Sequence, residues 1–145
     1  MGDTYAKRKN CAIVNNKSGA SVDVNQLKAK IIELIDMGVT NFLFSGTDGD
    51  FEPLCAKTIR KLKKTYPDIK CILVTTMNKG QKQAARHYDE VLYPEYKSDS
   101  LKSRFAERRR YMPEAAAFAL CYAGCLRDKE VRIFEYANLR IPQNK

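Results

Sequence analysis

Asn41-Phe42-Leu43-Phe44-Ser45-Gly46-Thr47-Asp48-Gly49-Asp50-Phe51-Glu52 decides the fold. Its first half is a short unbroken apolar run, the pattern of a strand buried on both faces. Its middle is a turn made of glycines, a hydroxyl and acids. From Glu52 to Tyr66 apolar residues return at helical spacing through Leu54, Cys55, Ile59 and Leu62, and the pattern stops before Pro67. Strand, polar loop and helix make half of a βαβ unit, and the chain repeats it in both directions.

Upstream, Cys11-Ala12-Ile13-Val14 reads as a strand. Val22 to Met37 reads as a helix through Leu27, Ile31, Ile32, Leu34 and Ile35, with Gly38 as its stop. Downstream, Cys71-Ile72-Leu73-Val74-Thr75 is a third strand. A short helix from Lys79 to Tyr88 leads to a fourth strand, Glu90-Val91-Leu92-Tyr93. A helix over Leu101 to Met112 and a fifth strand over Ala117 to Tyr122 follow. The pattern closes with a helix from Asp128 to Asn138 and a sixth strand at Leu139-Arg140-Ile141. This alternation predicts a Rossmann-like three-layer α/β/α sandwich with a mostly parallel sheet of five or six strands. It is a single domain over residues 1–145, with a loose N-terminus at 1–9. Strands one, two, three and five are expected at the centre, with Cys11, Cys71 and Cys121 buried by their apolar neighbours.

The chain has 145 residues, of which 44% are apolar and 30% charged, enough for a core without staples. No apolar run approaches the roughly 18–20 residues that span a bilayer, so no membrane partner is expected. The polar start, Met1 to Asn10, lacks a signal-peptide core. Five cysteines and one histidine, His87, form no Cys-x-x-Cys pair and no zinc pattern, so neither metal nor cofactor is expected. Thiols inside apolar stretches point to a reducing, cytoplasmic compartment. Twenty-six Lys and Arg against 17 Asp and Glu leave a net charge of +9, a field that favours phosphate-bearing partners as well as solubility.

Sheets of this kind take ligands at the carboxyl ends of their strands, where strand order reverses. Four segments lie there. Val14-Asn15-Asn16-Lys17-Ser18-Gly19 offers amides and an ammonium suited to ribose or phosphate, or an ordinary strand-to-helix loop. Ser45 to Glu52 opens a helix whose N–H groups attract anions, yet Asp48, Asp50 and Glu52 crowd the turn. Those acids suit helix capping better than a hard cation. Thr75-Thr76-Met77-Asn78-Lys79-Gly80-Gln81 is a weaker version of the same signal. Arg104-Phe105-Ala106-Glu107-Arg108-Arg109-Arg110-Tyr111-Met112 holds four arginines in seven positions, which cannot share one helical face. It is a solvated face, a phosphate-reading element of the crevice, or a footprint for nucleic acid. His87, between Arg86 and Tyr88, reads as surface. Neither a Gly-x-Gly-x-x-Gly nor a Walker loop occurs.

Ser45 to Ala56, Leu62 to Lys70, Tyr88 to Glu95 and Arg108-Arg109-Arg110-Tyr111-Met112 occur in the order and spacing of a known family. The chain resembles the YpsA-like branch of the SLOG superfamily, which includes DprA and the cytokinin-activating phosphoribohydrolases. The resemblance covers residues 10–141. It implies a crevice for a nucleotide or a nucleotide sugar of ADP-ribose type, with Ser45 and Gly46 lining a phosphate loop. Glu52 stands where the family has Asp, and Arg108 where it has Arg. Several positions depart from the pattern. Val14-Asn15-Asn16-Lys17 replaces Thr-Gly-His-Arg, Thr47 and Asp50 replace loop glycines, and Arg109 replaces an Asn. Ala123-Gly124-Cys125-Leu126 stands in place of Gly-Gly-Thr.

With the ligand motifs altered and the core pattern kept, the expected function is non-catalytic binding or sensing of a nucleotide. No catalytic residues are assigned. The expected contacts are Asn15, Asn16, Lys17, Ser45, Gly46, Thr47, Glu52, Thr75, Arg108 and Gly124. The alternatives are a protein-interaction or self-association module, and a basic domain that binds nucleic acid through Arg104 to Arg110. An N-glycosidic hydrolase ranks last. Helices flanking the sheet are expected to pair two copies into a homodimer.

Overall fold

The computed structural model describes residues 7–14, 22–46, 51–75, 88–97, 100–124 and 129–136. Among them are six strands and three helices, in the order β1 (Asn10–Val14), α1 (Val24–Asp36), β2 (Asn41–Phe44), α2 (Phe51–Leu62), β3 (Lys70–Val74), β4 (Glu90–Leu92), α3 (Leu101–Ala115), β5 (Phe118–Gly124) and β6 (Lys129–Glu135). The strands form one sheet in the order β4-β3-β2-β1-β5-β6. The first five are mutually parallel, and β6 runs antiparallel to β5. The expected α/β Rossmann-like class and the central positions of β1, β2, β3 and β5 are found.

The period-two pleat sorts each strand between two layers. Cys11 and Ile13, Phe42 and Phe44, Cys71 and Leu73 face α1 and α2, in one core with Leu27, Ile31, Leu34, Cys55 and Ile59. Ala12, Leu43 and Val74 face the other way, against Met112 and Ala116 at the end of α3. Each large side chain buried in these layers contributes about 1.5–3 kcal/mol. At the amino edge Asn10 fixes the register, accepting from Asn41 Nδ2 at 2.9 Å and donating to the Ala115 carbonyl at 2.7 Å.

Four expectations need correction. The stretch read as a helix from Asp128 to Asn138 is strand β6 over Lys129–Glu135. Its residues alternate, Val131 and Ile133 apolar against Glu130 and Arg132, and only four residues separate it from β5, too few for a crossover. Gln26 Oε1 accepts the Val131 N–H at 2.9 Å, tying this strand to α1. Helix α3 runs past Met112 to Ala115 with Pro113 inside it, because so near the end a proline removes a single helical bond. Cys121 is half-buried rather than buried. It lies on the α3 side of β5, in register with Val14, which is itself 39% exposed. Residues 7–9, assigned to a loose terminus, are tied down. The Lys9 carbonyl accepts from Thr40 and Asn41, the Lys7 carbonyl from Ala117, and Arg8 pairs with Glu135 at 3.2 Å. The helix expected from Lys79, the strand at 139–141 and His87 lie outside the described residues.

Cys11, Cys55, Cys71 and Cys121 are free thiols. Burial raises all four, and Cys71 is pushed up to about 12, so they pack as small apolar groups rather than as thiolates. No helix among the described residues is long and apolar enough to cross a membrane.

Asp89 binds the start of β3 to β4 and α2. Its Oδ2 accepts the Cys71 N–H at 2.8 Å and its Oδ1 accepts from Lys63 Nζ at 2.5 Å. Burial pulls its carboxyl upward, but Lys63 and the Cys71 N–H outweigh that and hold it below the usual range. A lowered carboxyl stabilises the fold above its unfolded pKa, and the stabilisation is lost as pH falls through the lowered value. Asp89→Asn is expected to cost about 0.5–1 kcal/mol at pH 7. The difference from wild type should close below about pH 4. Urea melts at pH 7 and pH 3 check both halves.

Candidate functional site

Strand β2 ends in a turn that favours glycine. Gly46 has φ +74°, and a Cβ there would sit 2.9 Å from Leu73 Cδ1. The chain then enters α2, where Glu52 occupies the first turn. A carboxylate is favoured there by the N-terminal end of the helix dipole. Glu52 is only 1% exposed. Its Oε2 accepts from Ser45 Oγ at 2.5 Å, and its Oε1 accepts the Gly46 N–H at 2.9 Å.

The other end of the same peptide group is held from the opposite layer. Arg108 Nη1, from the middle of α3, donates to the Ser45 carbonyl at 2.7 Å and to the Val74 carbonyl at 3.4 Å. A carboxylate on the N–H and a guanidinium on the C=O polarise one peptide in the same sense, so each bond strengthens the other. Arg108 is 8% exposed, and its charge is spent on carbonyls at the ends of β2 and β3.

Next to it, the Thr75 carbonyl accepts from the Tyr96 hydroxyl at 2.7 Å, and the Thr75 N–H donates to the Leu92 carbonyl at 2.9 Å. Burial raises the Tyr96 phenol, and the nearby Arg108 charge partly offsets it. Glu107 accepts the Lys97 N–H at 2.8 Å, holding the segment after β4 against α3. The Arg108 guanidinium carbon lies 5.2 Å from the centroid of the Phe105 ring. Burial, followed by the proximity of Glu52, pushes the Tyr88 phenol up to about 12, and its ring packs on Phe44 at 5.4 Å.

Ser45, Gly46, Glu52, Thr75 and Arg108 are therefore brought together, at the carboxyl ends of β2 and β3. Gly124 is the last residue of β5, paired with Lys129, and is separated from this cluster by β1 in the sheet. Asn15, Asn16, Lys17 and Thr47 lie outside the described residues. The arginine run divides as helical geometry requires, with Arg108 buried and Arg110 exposed. Arg110 lines an open groove of about 420 Å³ with Tyr96, Lys97, Glu107, Tyr111 and Glu114. Phe105 and Tyr96 are the cluster members that sequence reasoning passed over. The available signal was an aromatic inside a charged helix and another just after the fourth strand. Among the described residues, no group of three His, Cys, Asp or Glu could hold a metal ion. A scan against protein-family models finds no match, and a search of curated proteins finds none.

The Ser45 hydroxyl and the Gly46 N–H point at Glu52, so this turn is already ligated by the chain's own carboxylate. It supplies a fixed wall to the strand ends. Arg108→Ala is expected to lower stability by about 2–3 kcal/mol, or a Tm drop of about 4–10 °C at this chain length. Arg110→Ala should stay within about 0.5 kcal/mol. Gly46→Ala should cost about 1–3 kcal/mol from its backbone conformation and the Leu73 contact. Thermal melts of the three variants test this ranking.

Proposed function

We propose that this protein is a non-catalytic binding domain for a nucleotide or nucleotide sugar, held across the carboxyl edge of the sheet beside β1 and β5. The observation that carries this reading is the strand order. The chain steps from β1 outward to β4 and then returns to place β5 on the other side of β1. The crevice of an open parallel sheet forms at such a reversal. Strands β1 and β5 end there, Asn15, Asn16 and Lys17 come next after Val14 in the sequence, and the Ser45–Gly46 turn stands one strand away. The resemblance to the YpsA-like branch of the SLOG superfamily favours the same ligand class.

The geometry of the turn favours binding over chemistry. Both oxygens of Glu52 hold the protein's own loop, so this carboxylate is a structural group. A phosphate at the Gly46 N–H would have to displace it. The ligand's phosphate is therefore assigned to the β1 side, with Lys17 as its counter-charge, and the net charge of +9 steers anions toward the molecule.

A ligand that binds only the folded chain raises its Tm. AMP, a cyclic nucleotide and ADP-ribose at millimolar concentration should include at least one that does so. At a hundredfold excess over Kd the gain is about 2.7 kcal/mol, or roughly 5–10 °C. Lys17→Ala should reduce the shift without changing the melt of the free protein. A flat response to all three ligands overturns the reading.

A further inference from the structure

We infer that Phe105 is the platform on which the ligand's nucleobase stacks, an assignment that rests on the nucleotide reading and extends it to one side chain. Four observations converge on this ring. The first is its place. Arg108 reaches the Ser45 and Val74 carbonyls, which sets this part of α3 over the carboxyl ends of β2 and β3. Phe105 lies three residues earlier, on the same helical face, against the same guanidinium. The ring therefore stands at the rim of the edge where the ligand is held.

The second is its exposure. Phe42, Phe44, Phe51 and Phe118 are at most 3% exposed, whereas Phe105 keeps 37%. The ring keeps surface in water that a flat ligand can cover. The third is its support. A guanidinium fixed by two backbone carbonyls holds the ring by a cation–π contact, so little side-chain freedom remains to be lost when a flat ligand lands on it. The fourth is its neighbour. Leu101, one helical turn earlier, is 43% exposed, and it extends the apolar surface past the ring.

These features suit a nucleobase, which offers a π-face without needing a hydrogen-bond partner on the protein. They suit a phosphate poorly, because the nearby cation is buried and already engaged. The ligand would then lie with its base on Phe105 at the β2–β3 side and its phosphate toward β1. Stacking of this kind discriminates weakly between bases and strongly against ligands that have none.

The test compares AMP, ADP-ribose and ribose 5-phosphate against wild type, Phe105→Ala and Phe105→Tyr. Calorimetry gives the affinities, and the proton NMR of the adenine H2 and H8 gives a direct sign of stacking. Phe105→Ala should weaken both nucleotides about 5- to 100-fold and leave the affinity for ribose 5-phosphate unchanged. Phe105→Tyr should bind as wild type does. In wild type the adenine protons should move upfield on binding, and in Phe105→Ala they should not. If Phe105→Ala binds nucleotides as tightly as wild type, the stacking assignment falls and the nucleotide reading stands. Equal losses for nucleotides and ribose 5-phosphate also overturn it, since the ring would then merely shape the crevice. A fall from dimer to monomer in Phe105→Ala at unchanged affinity would make this face a contact between two copies instead. If wild type binds neither of these nor the cyclic nucleotide, both readings fall together.

Discussion

The Ser45–Gly46 peptide is the group on which the rest of the carboxyl edge depends. Strand ends in a parallel sheet leave carbonyls and N–H groups without ladder partners, and an unmet polar group under a helical layer is costly. Here one peptide is met from both sides, its N–H by Glu52 of α2 and its C=O by Arg108 of α3. Because α2 covers one face of the sheet and α3 the other, this single planar group couples all three layers. The positive φ of Gly46 turns the N–H toward α2, and a side chain there would strain the backbone and push on Leu73 Cδ1. The glycine is thus favoured by the protein's own packing.

That geometry changes how the acidic turn is understood. Beside a glycine-rich turn at a helix start, a carboxylate looks like an obstacle to an anion. In the structure it is the anion. Glu52 takes the hydroxyl and the N–H that a phosphate would take, in the field of the helix N-terminus that would favour one. The +9 charge of the chain is a separate matter. Cations such as Lys63 and Lys70 lie on the surface and pair with Asp89 and Glu90 near the β4 edge, where screened bridges contribute little to stability. Their collective field raises the encounter rate with anions, but it does not choose where one settles.

The layers were legible because burial writes itself into sequence at short range. Phe42-Leu43-Phe44 and Cys71-Ile72-Leu73-Val74 are continuous apolar runs because two helical layers cover them, and Leu27, Ile31 and Leu34 repeat at helical spacing because one face of α1 is buried. β6 reads as a helix in the sequence despite its alternation, since Glu130, Arg132 and Glu135 dilute the apolar run of this edge strand. Glu52 was legible as an acid in a first turn, but not as the partner of Ser45. Arg108 is singled out only by the family resemblance, and nothing in the residues around it gives its partner. Its partner carbonyl is 63 positions away, and among four arginines in seven positions only the packing of α3 decides which one turns inward.

A wall fixed in this way has consequences for binding. Ligand sites on loops lose conformational freedom when they close, and that loss is subtracted from the affinity. On the β2 side the ordering has been done during folding, by bonds the ligand neither makes nor breaks. Arg108 serves both ends of the arrangement, setting the strand termini through two carbonyls and steadying the Phe105 ring through its face. For the proposed ligand, affinity on this side would come from contact with a surface already in place. Glu52 cannot leave its place without releasing both the Ser45 hydroxyl and the Gly46 N–H, and with them the turn that Gly46 makes.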